Sequence, residues 1–398
     1  MFVYNPFYIY FLYMDSKKYN NIKLATGIGK GTASFFLILL FVACGLSKSL
    51  LVYLFHYSAN NYILFLLFAG ITGIASGIIF FPVNYYADFY LEHKYKLSNQ
   101  TFIAWIWEDM KGLLVSLVLV IPLLLFFFYV LNRFGSNWWL PFAIILFILS
   151  VVLARIVPVL ILPLFYKVTP LEDDDLKDRI KVLATGAGIK VENVYKFNMS
   201  KNTKKANAAF TGIGKSKRIL LGDTLLDNFT KDEIETVIAH ELGHYKKKHI
   251  IKNIIIGTVS SFATLFLIAF CYDKSIGWFG YSVRTDIAVL PILSLWAMVI
   301  GLILTPVSNI ISRKFEYEAD EYSVGTTGKP DEFINTLEKL NEQNLGDKNP
   351  HPFVEWFFYS HPSVKKRVMA IKSLPVYLNS VINFLPKDGN VILKEQSD

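Results

Sequence analysis

Residues 237–244 read Val-Ile-Ala-His-Glu-Leu-Gly-His, and this stretch decides how the rest of the chain is interpreted. In a helix, His240 and His244 stand one turn apart on one face, because residues i and i+4 stack. Two imidazoles in that register can bind one Zn²⁺, and Glu241 would lie beside the open coordination position, where a carboxylate can take a proton from water. The pattern predicts a catalytic zinc site. The alternative is a helix whose histidines only make polar contacts.

The residues before this pattern favour the helix. Thr230 and Glu233 have the spacing of a capping box, and the first turn is acidic. Apolar side chains then recur at helical spacing, at Ile234, Val237, Ile238 and Leu242. The two histidines are therefore expected on a stable, partly buried helix.

The composition indicates a polytopic membrane protein with a water-facing portion. Of 398 residues, 53% are hydrophobic and 18% charged, with a mean hydropathy of +0.40, whereas soluble domains are about a quarter charged. The net charge of +8 is explained by lysine-rich cytoplasmic loops, so no nucleic-acid partner is expected. Cys44 and Cys271 both lie in apolar stretches, so any metal must be held by nitrogen and oxygen ligands.

Six apolar segments are each long enough to cross roughly 30 Å of hydrocarbon. Lysines before the first segment and in the loop 88–111 place those regions on the cytoplasmic side. Four crossings then return the chain to that side at residue 166, and two more return it at residue 312. The sequence leaves open whether residues 2–13 form a seventh span, which would be short or interfacial. The predicted spans are 33–55, 62–87, 112–131, 138–165, 250–272 and 287–311.

A catalytic zinc usually takes three protein ligands and a water. The extended pattern with a third histidine is absent, because Ile250 stands at that position, and His249, one residue off, is a weak candidate. Glu316 is the better third ligand, since it follows the sixth span on the same membrane face. Asp320 shares its helical face and can accept the second ring N–H of a zinc histidine, while Glu318 points elsewhere and is the next candidate.

The order of these motifs resembles one known family over about residues 80–375. The chain is similar to the integral-membrane zinc metalloproteases of the CAAX prenyl protease 1 class, within the M48 peptidase family. Besides the two zinc motifs, the resemblance rests on the segments 161–171, 205–212 and 217–226, on Ser360-His361-Pro362, and on Arg367.

The resemblance implies a role for each matching position. His240, His244 and Glu316 would hold one zinc ion per chain, and Glu241 would be the general base. Asp320 would be a partner of a zinc ligand or a proton donor. Two further pairs of residues receive roles in the same way: Asn207 and Ala208 as the edge strand that binds substrate backbone, and His361 with Arg367 as the pair that stabilises the oxyanion.

The predicted architecture is mainly α: a transmembrane helical bundle of six spans, or seven, carrying a zincin-like metalloprotease domain with a small β-sheet. The N-terminal transmembrane region covers 1–165 with four spans, and the last two spans cover 250–312. The metalloprotease domain is formed by 166–249, which includes the helix of the two histidines, and 313–398, which includes the helix of the glutamate ligand. The sheet is expected near 193–197, 206–212 and 218–221.

The predicted function is hydrolysis of isoprenylated C-terminal CAAX peptides or of membrane-associated substrates. One alternative is a quality-control protease for membrane proteins without a prenyl requirement. Another is a transporter or scaffold with structural zinc, against which Glu241 argues, because a structural site needs no base. The catalytic parts are expected at the cytoplasmic side of, or within, the bilayer. The version of the motif at 204–212 favours a prokaryotic inner membrane, with the endoplasmic reticulum as the eukaryotic alternative; the sequence leaves the oligomeric state open.

Overall fold

A computed structural model of the protein describes residues 6–189, 194–211 and 218–378, and these are mainly α-helical with one small sheet. Within them, six helical segments are long and apolar enough to cross a membrane, as the sequence predicts. The candidate spans are Asp15–Ala43, Asn61–Lys94, Phe102–Asn137, Trp139–Phe165, His249–Phe279 and Ile287–Thr327.

The N-terminal half contains four of these spans. Short π-helical turns at Tyr85–Tyr90 and Val157–Ile161 connect consecutive helices within two of them. The helices are α1 (Pro6–Ala43), α2 (Leu46–Leu54), α3 (Asn61–Asn84), α4 (Leu91–Lys94), α5 (Phe102–Phe134), α6 (Trp139–Ile156) and α7 (Leu162–Phe165).

The predicted position of the first span, 33–55, is wrong. Helix α1 ends at Ala43, and α2 is a separate short helix, because Gly45 between them has a φ of 72°. Glycine reaches this left-handed conformation at little cost, and hydropathy alone does not reveal such a turn. The span lies earlier, at Asp15–Ala43. Residues 6–13 continue the same helix, and residues 1–5 lie outside the described residues.

The sheet has four strands in the order β1-β2-β4-β3. Strands β2 and β4 pair in parallel, and the two outer pairs are antiparallel. The three predicted segments are present, although residues 193 and 212 lie outside the described residues. The short strand β1 was not predicted, because three residues ending in proline give no alternating pattern. The strands are β1 (Val168–Pro170), β2 (Val194–Phe197), β3 (Ala208–Thr211) and β4 (Arg218–Gly222).

Three helices pack with this sheet: α8 (Asp174–Gly186), α9 (Asp223–Asn228) and α10 (Lys231–Lys246). Helix α10 begins with the predicted capping box, in which the Thr230 side chain accepts from the Glu233 N–H and the Glu233 carboxylate accepts from the Thr230 N–H. Its apolar stripe, including Ile238 and Leu242, shares a buried core with Leu221 of β4. The capping box thus fixes where α10 begins, and the apolar stripe fixes which face of α10 packs against the core.

The remaining helices are α11 (His249–Ser275), α12 (Pro291–Thr327), α13 (Pro330–Gln343), α14 (Pro352–Phe358) and α15 (Val364–Lys372). Helix α12 has 37 residues, which corresponds to about 55 Å at about 1.5 Å per residue and exceeds the thickness of a bilayer core. It therefore continues past the predicted span end at residue 311 without a break. One continuous helix carries both the last membrane span and Glu316.

Candidate metal centre

Helix α10 directs both histidines of the predicted pair to one point. The Nε2 atoms of His240 and His244 lie 3.2 Å apart. His240 is buried and His244 half-buried. This is the arrangement expected for two residues one helical turn apart whose rings point to a common neighbour.

Glu316 reaches the same point from α12. One oxygen of its carboxylate lies 3.5 Å from His240 Nε2 and the other lies 3.4 Å from His244 Nε2. The two helices approach closely at Gly243, where an added Cβ would lie 3.1 Å from the Ala319 Cα. The absence of a side chain at residue 243 thus allows the helices to cross where Glu316 can meet the histidines.

The geometry of these three residues fits a metal ion. Their donor atoms all lie within 4.8 Å of one another, and the closest separations, 3.2–3.5 Å, are those between ligands of a tetrahedral ion with bonds of about 2.0–2.1 Å. Two imidazoles and one carboxylate also form a donor set typical of catalytic zinc. The residues present therefore suit a divalent ion that keeps one position open.

The electrostatics also favour a cation. Burial lowers the pKa of His240, but the hydrogen bonds to Asp320 and Glu316 outweigh burial and raise it to about 9. The two carboxylates thus create a negative potential that holds a positive charge at this centre.

Asp320 lies one turn after Glu316 and contacts both His240 and Arg367. Its Oδ1 is 2.9 Å from His240 Nδ1, and its Oδ2 accepts from Arg367 Nε at 2.8 Å. Arg367 also has its NH1 3.6 Å from a Glu316 oxygen. Burial lowers the pKa of Arg367, but Asp320 more than offsets this effect and keeps the guanidinium charged. The aspartate orients the imidazole, and the arginine neutralises the surplus negative charge.

Glu241 connects the centre to the sheet. Its Oε2 accepts a hydrogen bond from the Phe210 N–H at 3.4 Å. Phe210 lies in β3, which is the last strand in the sheet order and pairs only with β4 among the described strands. Ala208 begins that strand, and the exposed Asn207 precedes it. The edge strand therefore runs beside the carboxylate that neighbours the centre.

His361 approaches the centre from the segment between α14 and α15. Its Nε2 lies 3.5 Å from Glu316 Oε1, its Nδ1 lies 3.0 Å from Ser360 Oγ, and its side chain is 64% exposed. It is accordingly the most accessible of the predicted site residues near the carboxylate. Six of the predicted site residues contact one another around the centre: His240, His244, Glu316, Asp320, His361 and Arg367. Glu241 contacts the strand that Ala208 begins, and Asn207 directly precedes that strand.

Two residues that rank below Glu316 as a third ligand on the sequence, His249 and Glu318, contact the centre indirectly. His249 Nδ1 lies 2.9 Å from His244 Nδ1, and His249 Nε2 lies 2.9 Å from Glu318 Oε2. The only sequence signal for them is their position, five residues after His244 and two after Glu316. It indicates proximity but does not indicate which atoms meet.

Two family profiles together match most of the chain. The profile described as Peptidase family M48 matches residues 170–374, and the profile described as CAAX prenyl protease N-terminal, five membrane helices, matches residues 11–167. The first covers strands β2, β3 and β4, the end of β1, and every residue placed around the centre. The second covers the four N-terminal spans found here.

Several relatives are similar over most of their length. CAAX prenyl protease 1 of Saccharomyces cerevisiae is 32% identical over 77% of this chain and 71% of its own. The human CAAX prenyl protease 1 homolog is 29% identical over 80% of this chain and 75% of its own. The uncharacterized metalloprotease YhfN of Bacillus subtilis is 28% identical over 89% of this chain and 84% of its own.

A solved structure has the same fold. The crystal structure of S. mikatae Ste24p superposes with a TM-score of 0.80 at 27% identity and covers 90% of this chain and 89% of that chain. The apolar spans, the convergent donor set and these matches lead to one conclusion. The chain belongs to peptidase family M48 and is an integral membrane metallopeptidase.

Proposed function

We propose that the protein is a zinc endopeptidase in which His240, His244 and Glu316 hold one zinc ion. The observation that carries this proposal is the convergence of their donor atoms within 4.8 Å, beside a carboxylate, Glu241, which is adjacent to an edge strand. Residues 166–249 and 313–398 would together form the catalytic domain, and 1–165 and 250–312 would form its membrane-spanning regions.

Zinc in such a site supplies a Lewis acid that polarises a carbonyl and acidifies water. Glu241 would accept the proton of the attacking water and pass it to the leaving amine. The Phe210 N–H, at 3.4 Å, holds one oxygen of this carboxylate, so the other oxygen is left to exchange the proton. A base fixed in this way needs no reorganisation when the reaction begins.

Three further residues would support the reaction. Asp320 would fix the tautomer of His240, because it accepts at the Nδ1 atom and leaves Nε2 unprotonated towards the centre. His361, exposed and 3.5 Å from Glu316, would donate a hydrogen bond to the developing oxyanion. Arg367 is paired with Asp320, so it would act on the oxyanion mainly through its charge.

The substrate backbone would bind along β3. The Asn207 carbonyl accepts from the Gly222 N–H at 3.0 Å, whereas the Phe210 N–H points to Glu241, so the alternating backbone directs the polar groups of Ala208 to the open side. An extended peptide can add to such an edge as a further strand. Asn207 would contribute its exposed side chain.

One side chain limits how far this edge is available. Asn344 bonds both backbone groups of Ala206, accepting from its N–H at 2.8 Å and donating to its carbonyl at 3.2 Å. It thereby occupies the place that a partner strand would take before Ala208. The substrate would consequently meet the edge from Ala208 onward, towards Glu241.

The proposed substrates are isoprenylated C-terminal peptides. The relatives named CAAX prenyl proteases point to this class. A second support is a cavity of about 500 Å³ between α6 and α11, whose apolar lining includes Val151, Ile254 and Phe262 and which reaches Phe210 of the edge strand. An isoprenoid on a peptide bound at β3 could enter this cavity directly from the membrane.

The catalytic centre would face the cytoplasmic side of the bilayer. The support is the lysine content of the N-terminal segment and of the loop 88–111, since positively charged segments stay on that side. The membrane would be a prokaryotic inner membrane, or that of the endoplasmic reticulum in a eukaryotic cell.

The proposal is tested with detergent-purified full-length protein. Metal analysis should give one zinc per chain, and cleavage of a farnesylated peptide should stop on addition of phenanthroline and return with zinc. The same peptide without its farnesyl group is the matched substrate. Equal cleavage of both would indicate a membrane-protein quality-control protease, and bound zinc without any cleavage would indicate a structural site.

A further inference from the structure

The two imidazoles of the centre are held in different ways. Each directs Nε2 to the centre, so each must carry its proton on Nδ1 when Nε2 binds a metal. The Nδ1 atom of His240 meets a carboxylate, Asp320, at 2.9 Å. The Nδ1 atom of His244 instead meets a third imidazole, that of His249, at 2.9 Å.

The ring of His249 is held firmly in place. The residue is 1% exposed and begins α11 directly after Lys248, which has a φ of 60°. The ring stacks on Phe315, with centroids 4.2 Å apart and an angle of 8° between the planes. Burial and stacking leave the imidazole few orientations, and its Nδ1 atom faces His244.

The hydrogen bonds along this row can run in only one direction when metal is bound. If His244 donates from Nδ1, then His249 Nδ1 must accept, and the His249 proton must lie on Nε2. That nitrogen is 2.9 Å from Glu318 Oε2, and a carboxylate is the acceptor that such an N–H requires. The row of His244, His249 and Glu318 therefore ends in a carboxylate. The contact of His240 with Asp320 also ends in a carboxylate, without an imidazole in between.

We propose that His249 and Glu318 are positioning residues that fix the tautomer and orientation of the zinc ligand His244. The imidazole extends the reach of the carboxylate by one ring, because Glu318 lies on α12 away from the face of Glu316. This inference rests on the proposed zinc site and adds residues that the site itself does not require as ligands.

Glu318 is suited to this task by its surroundings. Its side chain is 25% exposed, with Lys252 Nζ at 3.5 Å and Lys314 Nζ at 4.0 Å. Both lysines place positive charge beside this carboxylate. The negative charge of Glu318 makes the accepting nitrogen of His249 more basic. A more basic acceptor in turn makes His244 a stronger metal ligand.

The test measures zinc affinity by competition with a chelator on the full-length protein. His249→Phe keeps the stacking on Phe315 but has no acceptor, and His249→Asn keeps an acceptor near the Nδ1 position but not the link to Glu318. Glu318→Gln removes only the charge. The matched control is Glu321→Gln, an exposed glutamate on the same helix.

Loss of such a partner typically weakens metal affinity by about 10–100-fold, and this range is expected for His249→Phe. Smaller losses are expected for His249→Asn and Glu318→Gln, and wild-type affinity for Glu321→Gln. The melting temperature of metal-free Glu318→Gln should stay close to that of the wild type, because this partly exposed carboxylate acts on the ligand. The buried His249 variants are compared with and without zinc, so that a loss of packing is separated from a loss of metal affinity. If His249→Phe does not fold, Glu318→Gln decides the question against its control.

Wild-type zinc affinity in both His249→Phe and Glu318→Gln would overturn the inference. So would an equal loss in the metal-free and zinc-loaded melting temperatures with unchanged affinity, because that result describes a purely structural role. Failure of the wild-type protein to bind zinc would instead overturn the proposed function, and the inference with it.

Discussion

Gly243 of α10 and Ala319 of α12 lie so close that a Cβ at residue 243 would sit 3.1 Å from both the Cα and the carbonyl oxygen of Ala319. Ala319 is completely buried. This contact sets the distance between the helix that carries the two histidines and the helix that carries Glu316. The glycine within the histidine motif therefore has a packing role that the motif itself does not reveal.

Gly243→Ala should weaken zinc binding and lower the melting temperature. Alanine favours a helix by up to about 1 kcal/mol over glycine, but overpacking against backbone costs about 1–3 kcal/mol. The control is Gly325→Ala on α12, where an added Cβ meets nothing within 4 Å, and which should be neutral or slightly stabilising. A Gly243→Ala protein with unchanged zinc affinity would show that the helices separate without moving Glu316.

Glu241→Gln should keep zinc and lose catalysis. The amide preserves the size of the side chain but cannot accept the proton of water, so turnover should fall by at least about 100-fold, the lower range for general acid–base catalysis. Zinc content and peptide cleavage are measured on one preparation. Turnover near that of the wild type would remove Glu241 from the role of base.

Glu316→Gln should lose most of its bound zinc. An amide oxygen is a weaker ligand than a carboxylate, and the substitution also removes one of the two charges that attract a cation to His240. Zinc per chain is measured after dialysis, with Glu321→Gln as the control on the same helix. An unchanged zinc content would assign the third ligand to another residue.

Gly257→Leu should discriminate between substrates. Gly257 lines the cavity between α6 and α11, and an added Cβ meets nothing within 4 Å, so the larger side chain would fill the space without displacing backbone. The KM for a farnesylated peptide should rise while cleavage of an unmodified peptide stays constant.

Gly301→Leu on α12 is the matched control for this cavity. Residue 301 is also a helical glycine whose added Cβ meets nothing within 4 Å, and it does not line the cavity. It should leave the KM for both peptides unchanged. An equal KM for the farnesylated peptide in Gly257→Leu and wild type would place the isoprenoid elsewhere.

Lys329→Met should reduce stability in a pH-dependent way. Lys329 Nζ lies 2.7 Å from Asp232 and 2.6 Å from Glu235, and the hydrogen bond from Lys329 lowers the pKa of Asp232 below its usual 3.8. A carboxyl group whose pKa is lowered in the folded state stabilises that state at pH values above its ordinary pKa. This stabilisation is lost as the pH falls through the lowered pKa.

The melting-temperature difference between Lys329→Met and wild type should therefore be constant from pH 7 to about pH 5 and shrink below about pH 4. The expected loss in the free energy of unfolding at neutral pH is below about 1 kcal/mol, because Lys329 and its carboxylate partners lie near the surface. Lys247→Met, at an exposed lysine directly after the end of α10, should show no such profile. A difference that persists at low pH would assign the effect to packing of the lysine stem.

The sequence alone was sufficient for the features that depend on local periodicity. The capping box and the i, i+4 spacing placed His240 and His244 on one face of a helix, and hydropathy gave six spans. The first span was misplaced because Gly45 ends the helix inside an apolar run, where a scale of residue hydrophobicity registers no turn.

Only the tertiary structure decided which side chains meet across elements. Glu316 and Glu318 are two residues apart, yet the former reaches the metal centre and the latter reaches His249, because the crossing of α10 and α12 at Gly243 and Ala319 fixes which face of α12 the histidines encounter. The pairing of Arg367 with Asp320 likewise depends on how α15 packs. Local spacing determines the direction of a side chain relative to its own helix, whereas contacts between residues distant in sequence depend on helix packing.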